Sequence, residues 1–432
     1  MKNVRLLSLV AFTYALANGF VALATPQAGL LYGMSSGDIG LLGAGSPIGY
    51  ALGCVGLGQL FRNLCGKRVI LGGVLVSTLS IVSLSLSHTV WPAFLSQIVY
   101  GIAQGAVWPF ISAWMLESES PEISRTRVFR FYNAGWTSGS ASGMLIAGFL
   151  CDHSVIVGCF IVGAVINALT CIGPLLAAPP RAHHEVPEPD PTGIEVAATN
   201  ERIGFAIFLA AVLANIAALS TRMIESFNYP ELNRALGFSP NRMGVYGAVC
   251  LGGQLVAFVF GAVYEPLLGS RRLYAAMAGM LVASSLAFAW VESFPVLVGA
   301  ALLTGFVLAM AFQAAMLAAT EWFTNKRNGT TVHEGLVGFA QTMTLAAGFV
   351  VQGAKNSGMA TRDALQFPFL YILPVGLGLF LLIQMVAVST SRSRRRLLPA
   401  HASDRAPRVI VSDAVVKSQA PGVRTESAVG RQ

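Results

Sequence analysis

Apolar residues in this chain come in long runs separated by short polar or basic turns, rather than in alternating or narrow-stripe patterns. A membrane-crossing helix needs roughly 20 mostly apolar residues. Runs of that kind fall near 6–25, 38–61, 69–87, 92–115, 128–150, 155–178, 203–225, 240–264, 272–290, 295–318, 332–354 and 367–390. Two stretches break the rhythm. Residues 179–201 are polar and carry Pro179, Pro180, Pro187, Pro189 and Pro191, and residues 391–432 are polar and basic without apolar periodicity. The pattern predicts an all-α integral membrane protein of about twelve transmembrane helices in two six-helix bundles, at 1–178 and 202–390. A cytoplasmic linker at 179–201 joins them, and 391–432 is expected to be a disordered basic cytoplasmic tail. The basic start, apolar run and Ala22-Leu23-Ala24 resemble a cleaved leader. We read a retained first span instead, because cleavage would leave an odd number of spans.

The two bundles look like copies of each other. Residues 33–44 read GMSSGDIGLLGA and 237–248 read GFSPNRMGVYGA, so Gly33, Ser35, Gly40, Gly43 and Ala44 recur as Gly237, Ser239, Gly244, Gly247 and Ala248. The same spacing of 204 carries Gly101 onto Gly305 and Glu117 onto Glu321. Leu16, Ala17 and Asn18 recur as Leu213, Ala214 and Asn215, tying the first span to the seventh. Self-similarity at a fixed period is a statement about whole architecture. It makes the bundles pseudo-symmetric.

Composition agrees with a membrane protein: 54% hydrophobic residues and 11% charged, against about 25% charged in soluble domains. Charge adds orientation, because cytoplasmic loops carry an excess of Lys and Arg. Lys2, Arg5, Arg62, Lys67, Arg68, Arg125, Arg127, Arg181, Arg202, Arg271, Arg272, Lys326, Arg327 and Arg392–Arg396 fall on one side; Arg234, Arg242, Lys355 and Arg362 fall on the other. The first side should be cytoplasmic, with both termini inside the plasma (inner) membrane. The net charge of +8 then reflects topology and attraction to anionic lipid, not nucleic-acid binding. The six cysteines form no close metal-type pair, so neither a disulfide framework nor a zinc site is indicated. No metal or other cofactor is expected, and the chain is expected to act as a monomer.

The loop after the second run reads GQLFRNLCGKRVILGG (58–73). It resembles the glycine-and-basic loop of the major facilitator superfamily, with Gly58, Gly66, Lys67 and Arg68 at the Gly and basic positions. The family's Asp is missing; Asn63 or Arg62 stands there. The second half carries a degenerate counterpart, GAVYEPLLGSRR (261–272), in which Glu265 restores an acid. The resemblance covers residues 1–390 and implies the fold of that superfamily, whose six-span halves are parallel repeats. It implies secondary active transport of a small organic solute by alternating access. By the same resemblance Glu117 and Glu321, beside Arg125, Arg127, Lys326 and Arg327, form a cytoplasmic charge network around the gating loop; plain helix-end charges in water are the alternative. Two family patterns are partial. Gln97 stands four residues before Gly101, where proton-coupled members often carry Arg. The stretch GWTSGSASGM keeps Gly135, Gly139 and Gly143 of an antiporter pattern but has Ser140 for its Pro and Met144 for its last Gly. Small residues four apart also serve close helix packing in lipid, so both readings stand.

Polar side chains inside spans are costly and usually face a cavity or a partner helix. Helical spacing places Gln97, Gly101, Gln104 and Trp108 on one face, Arg130, Asn133, Thr137 and Ser140 on another with Trp136 beside them, and Glu334, Gln341 and Thr344 on a third. Substrates of such repeats lie near mid-membrane between the halves. The residues expected to line that site are Asn18, Gln104, Trp108, Asn133, Trp136, Asn215, Gln313 and Gln341. Arg130, Arg222, Glu225 and Glu334 are the coupling or charge candidates, with protons the coupling ion to consider. Arg222 and Glu225 read as a pair near the outer end of the seventh span, and His333 with Glu334 as a proton relay. Residues 33–37 fit Gly-x-Ser-x-Gly, but a nucleophile elbow needs a strand-to-helix turn, and Ser36 and Ser239 more simply begin helices. No HExxH pair or phosphate-cradling loop is present, so neither metalloprotease nor ATPase chemistry is read and the protein is not expected to be an enzyme. The remaining alternative is a transport-fold sensor or assembly partner that binds a ligand without moving it.

Overall fold

The computed structural model describes residues 2–57, 65–116, 125–153, 155–177, 205–264, 267, 270–290, 293–323, 326–372, 374–379 and 382. The proposed linker 179–201 and tail 391–432 lie outside these residues, as do Gly58, Arg62, Asn63, Glu117 and Glu265.

All regular structure among the described residues is helical. In chain order the helices are α1 (Lys2–Leu31), α2 (Ser36–Leu52, prolonged by a π turn Gly53–Leu57), α3 (Gly66–Ser85), α4 (Val90–Leu116), α5 (Arg125–Asp152) and α6 (Ile156–Leu169, then Ile172–Leu176). The second six are α7 (Phe205–Ala235), α8 (Pro240–Val259), α9 (Arg271–Trp290), α10 (Phe294–Trp322), α11 (Lys326–Gln341 and Met343–Asn356) and α12 (Thr361–Phe367 with a π turn Pro368–Ile372). Among the described residues, ten helices are long and apolar enough to cross a bilayer. α5 is not among them, because Asn133, Thr137, Ser138, Ser140 and Ser142 dilute its hydropathy. It runs instead between protein neighbours, packed along α1 on one side and α8 on the other.

The sequence repeat returns as a geometric repeat. Gly33 and Gly237 both turn the chain at φ 70°. Ser35 and Ser239 both cap the next helix in extended conformation, at φ −69° and −72°. Pro26 lies inside α1 and Pro230 inside α7, each five residues before its helix ends. The expected spans stopped just short of these prolines, at 25 and 225, whereas the helices continue to Leu31 and Ala235. Proline is tolerated within membrane helices because neighbours satisfy the freed carbonyl.

Glycine sets the spacing between helices. A methyl carbon added to Gly101 of α4 would lie 1.9 Å from the Ser46 carbonyl oxygen of α2, and one on Gly305 of α10 would lie 1.7 Å from the Cys250 carbonyl oxygen of α8. Gly101 and Gly305 are 204 residues apart, as are Ser46 and Cys250, so one contact is built twice. Carbons added to Gly135, Gly139 and Gly143 of α5 would lie 2.6, 2.1 and 2.2 Å from the carbonyl oxygens of Ser8, Phe12 and Leu16 of α1. That glycine series lets α1 and α5 pack closely.

The halves meet through two equivalent pairs, α2 with α11 and α5 with α8. Gly40 abuts Gly348 in the first pair, and Gly244 abuts Gly148 in the second. Gly40 and Gly244 are repeat mates, so the motif that revealed the duplication also brings the halves into close contact. At the same end, Lys355 of α11 pairs with Glu231 of α7, and the Ser36 hydroxyl of α2 donates to Glu231 Oε2 at 2.6 Å. Lys355 Nζ also donates to Ser36 Oγ at 2.7 Å.

Candidate functional site

Between the halves, below the glycine contacts, lies a cavity of about 210 Å³. The first half lines it with Asn18 of α1, Tyr50 of α2, Gln104 and Trp108 of α4, and Tyr132, Trp136 and Ser140 of α5. The second half contributes Leu219, Gln254, Leu308, Phe312, Glu334, Val337 and Gln341. The helical period explains the arrangement: Gln104 and Trp108 are one turn apart on α4, and Glu334, Val337 and Gln341 follow one stripe of α11. α11 is interrupted at Thr342, immediately after Gln341, and α2 loosens into its π turn three residues after Tyr50. Such irregularities often mark functional positions.

Hydrogen bonds hold the polar lining in place. The Asn18 carbonyl accepts from the Tyr100 hydroxyl and, at 3.3 Å, from Gln104 Nε2. The Tyr50 hydroxyl donates to Glu334 Oε2 at 2.6 Å, bridging the halves across the cavity. Trp136 Nε1 donates to Asn133 Oδ1 at 3.0 Å, and its ring stands 6.0 Å from Phe258 and 6.1 Å from Phe312. Trp108 meets the edge of Tyr14 at 5.1 Å. Gln97, at the position where Arg is often found, instead donates to Thr25 Oγ1 at 2.8 Å and is buried.

Of the residues expected at the site, Asn18, Gln104, Trp108, Trp136, Gln341 and Glu334 thus share one cavity. Asn133, Gln313 and Arg130 line a separate void of about 20 Å³ that shares Phe312 with it. Asn215 lines neither; it is buried, and its Oδ1 has no partner among the described residues. Arg222 and Glu225 are not at a rim: they are 6% and 0% exposed, because α7 continues ten residues past Glu225. Glu225 accepts from the Tyr246 hydroxyl at 2.6 Å, Thr304 at 3.0 Å and Ser284 at 3.3 Å, so it ties α7 to α8, α9 and α10. The Arg222 guanidinium lies 5.6 Å from the centre of the Tyr246 ring. His333 and Glu334 face different ways. Adjacent helical residues diverge by about 100°, and His333 turns to the Phe312 ring at 4.7 Å.

Five polar or aromatic lining residues were not among those expected at the site. Tyr50, Tyr132 and Phe312 counted as apolar members of their runs, and Ser140, aligned with Asn133 on one face by its spacing, was not carried to the site. Gln254 carried the signal that singled out Gln313, a lone amide within an apolar run. Of the gating-loop residues, Gly66, Lys67 and Arg68 open α3, and Lys67 Nζ donates to the Leu175 carbonyl at 3.0 Å. The side chains of Glu321, Arg125, Lys326 and Arg327 lie outside the described residues, so the charge network is not seen. No group of three metal-ligating residues occurs among the described residues.

A helical bundle duplicated about a central, amide-lined cavity is the architecture of a membrane transporter. The Major Facilitator Superfamily model matches the chain twice, over residues 7–224 and 210–421, and the chain belongs to that family. The fold is shared with the nucleoside transporter NupG at a TM-score of 0.66 and 11% identity, over 91% of this chain and all of that one. It is also shared with a bacterial homologue of the human lysosomal transporter Spinster, in an inward-facing and occupied conformation, at a TM-score of 0.63 and 14% identity over 91% and 96% of the two chains. No curated protein matches the sequence. The chain is therefore a multi-pass membrane protein of a solute-transporting family, its described residues forming α1–α12 in two pseudo-symmetric bundles.

Proposed function

We propose that the protein is a secondary active transporter that carries a small organic solute by alternating access, the halves 1–178 and 202–390 rocking about the cavity. The observation that carries this reading is the cavity's double parentage: α1, α2, α4 and α5 line it from one half, and α7, α8, α10 and α11 from the other. A solute held by both halves is released when either pair of contacts, α2 with α11 or α5 with α8, comes apart. Asn18, Gln104, Trp108, Trp136 and Gln341 are the binding residues of this reading, with Tyr50 and Gln254 added. Asn133, Gln313 and Arg130 form an antechamber on the side of the α5 N-terminus. Protons are the coupling ion, and Glu334 is the carboxylate placed to carry them, since it faces the solute. Glu225 and Arg222 hold the second half together. The working unit is a monomer in the plasma membrane with both termini cytoplasmic, without cofactor, enzymatic activity or nucleic-acid partner.

Counterflow in proteoliposomes tests the proposal. Solutes that raise the melting temperature of the detergent-purified protein are loaded inside, and entry of labelled solute is followed. Saturable entry that disappears in Gln341→Ala supports transport. Tight binding without entry of any bound solute, in both membrane orientations, would make the protein a sensor built on a transporter fold.

A further inference from the structure

The chemistry of the cavity narrows the solute. We infer that it carries a cationic nitrogen, an amine or quaternary ammonium, seated between the Glu334 carboxylate and the rings of Trp108 and Trp136; this rests on the transport reading above.

Charge comes first. Among the described lining residues Glu334 is the only formally charged side chain, and no Lys, Arg or His accompanies it. Arg130 belongs to the separate small void, and His333 is turned onto Phe312. Glu334 receives one hydrogen bond among the described residues, from Tyr50 to Oε2. Oε1 keeps its lone pairs for something else. Gln254 adds a second acceptor, for its Oε1 has no donor among the described residues although the residue is 2% exposed. A buried acceptor without a donor is costly, and a ligand that brings N–H groups or positive charge removes that cost. An anionic solute would instead meet Glu334 with nothing to offset it.

Aromatic rings supply the rest. Tyr50, Trp108, Tyr132, Trp136 and Phe312 all line the cavity. Trp136 is pinned through Asn133 and Trp108 through its edge contact with Tyr14, so neither ring needs ordering when a ligand arrives. Rings around one carboxylate make an arrangement suited to organic cations, which are drawn to the negative faces of Trp and Tyr. The amides of Asn18, Gln104 and Gln341 leave room for hydroxyl or carbonyl groups elsewhere on the solute.

Three probes that share a phenyl ring and differ in charge provide the test: benzyltrimethylammonium, benzyl alcohol and benzoate, titrated against intrinsic tryptophan fluorescence of the full chain in detergent. The cation is expected to bind at least about tenfold more tightly than either partner. Glu334→Gln should weaken the cation by about thirtyfold or more and leave benzyl alcohol unmoved. Trp136→Leu should weaken the cation independently, and Asp38→Asn, at the start of α2 and outside the cavity lining, should leave probe binding unchanged. Equal binding of all three probes, or unchanged cation binding in a folded Glu334→Gln protein, would overturn the inference. Counterflow separates it from the transport reading. Entry of neutral or anionic solutes alone rejects the cation and keeps the transporter; cation binding lost in Glu334→Gln but never followed by entry keeps the cation site and rejects transport.

Discussion

Single residues carry opposite duties in the two buried carboxylates. Glu225 is enclosed by three hydroxyls from three helices, whereas Glu334 takes one hydroxyl and faces an open cavity. Removing Glu225 should therefore act on folding. Glu225→Ala leaves the Tyr246 hydroxyl without its acceptor, at about 1–3 kcal/mol if it stays dry, while Ser284 and Thr304 keep each other and the Ala300 carbonyl. The expected outcome is a clear drop in melting temperature in detergent, with binding at the cavity retained by the folded fraction. The sequence could name both acids but could not tell their roles apart. Polarity within a span is visible in one dimension, and partners are not: the hydroxyls that meet Glu225 come from 21 to 79 residues away.

At the scale of elements, glycine decides how close the helices come. Gly101 and Gly305 each sit on the carbonyl of a helix in their own half, at Ser46 and Cys250. Gly101→Leu or Gly305→Leu must push backbone against backbone, which exceeds the 1–3 kcal/mol or so typical of overpacked cores. Both variants should lose thermal stability by similar amounts, since the contact is the same one repeated. Gly252, where an added carbon meets nothing, should accept Ala without loss. A melting series across these three positions checks the difference. The spans and their order were legible because each apolar run is long. Helix ends were not, because Pro26 and Pro230 signal a stop that the packed bundle overrides.

For the whole molecule, the question is whether the two halves must separate. An ideal Cβ on Gly37 of α2 would lie 3.7 Å from Gln352 Cβ of α11, within the range of about 3.5–4.5 Å that suits a disulfide. The Gly37→Cys, Gln352→Cys double variant should crosslink the halves beside the Glu231–Lys355 pair. Oxidised protein is expected to bind solute yet show no counterflow, and a reductant should restore it. Counterflow that survives complete crosslinking would mean that this end never opens. Glu231→Gln removes the ion pair that bridges α7 and α11 there, and should increase labelling of a single Gly37→Cys by a membrane-impermeant thiol reagent several-fold.

The duplication, the number of spans and the family were all determined by the sequence. These depend on composition and on local periodicity, which neighbouring residues carry among themselves. Several candidate residues were also legible, because a lone amide or carboxylate in an apolar run has few bland explanations. Only the tertiary structure decided which of them share one cavity. Asn18, Tyr50, Gln104, Gln254 and Glu334 meet there from five helices, while Asn215 and Glu225, equally conspicuous in sequence, turn away into the protein. A helix presents every side chain to some direction, and what stands in that direction is set by the packing of the other eleven.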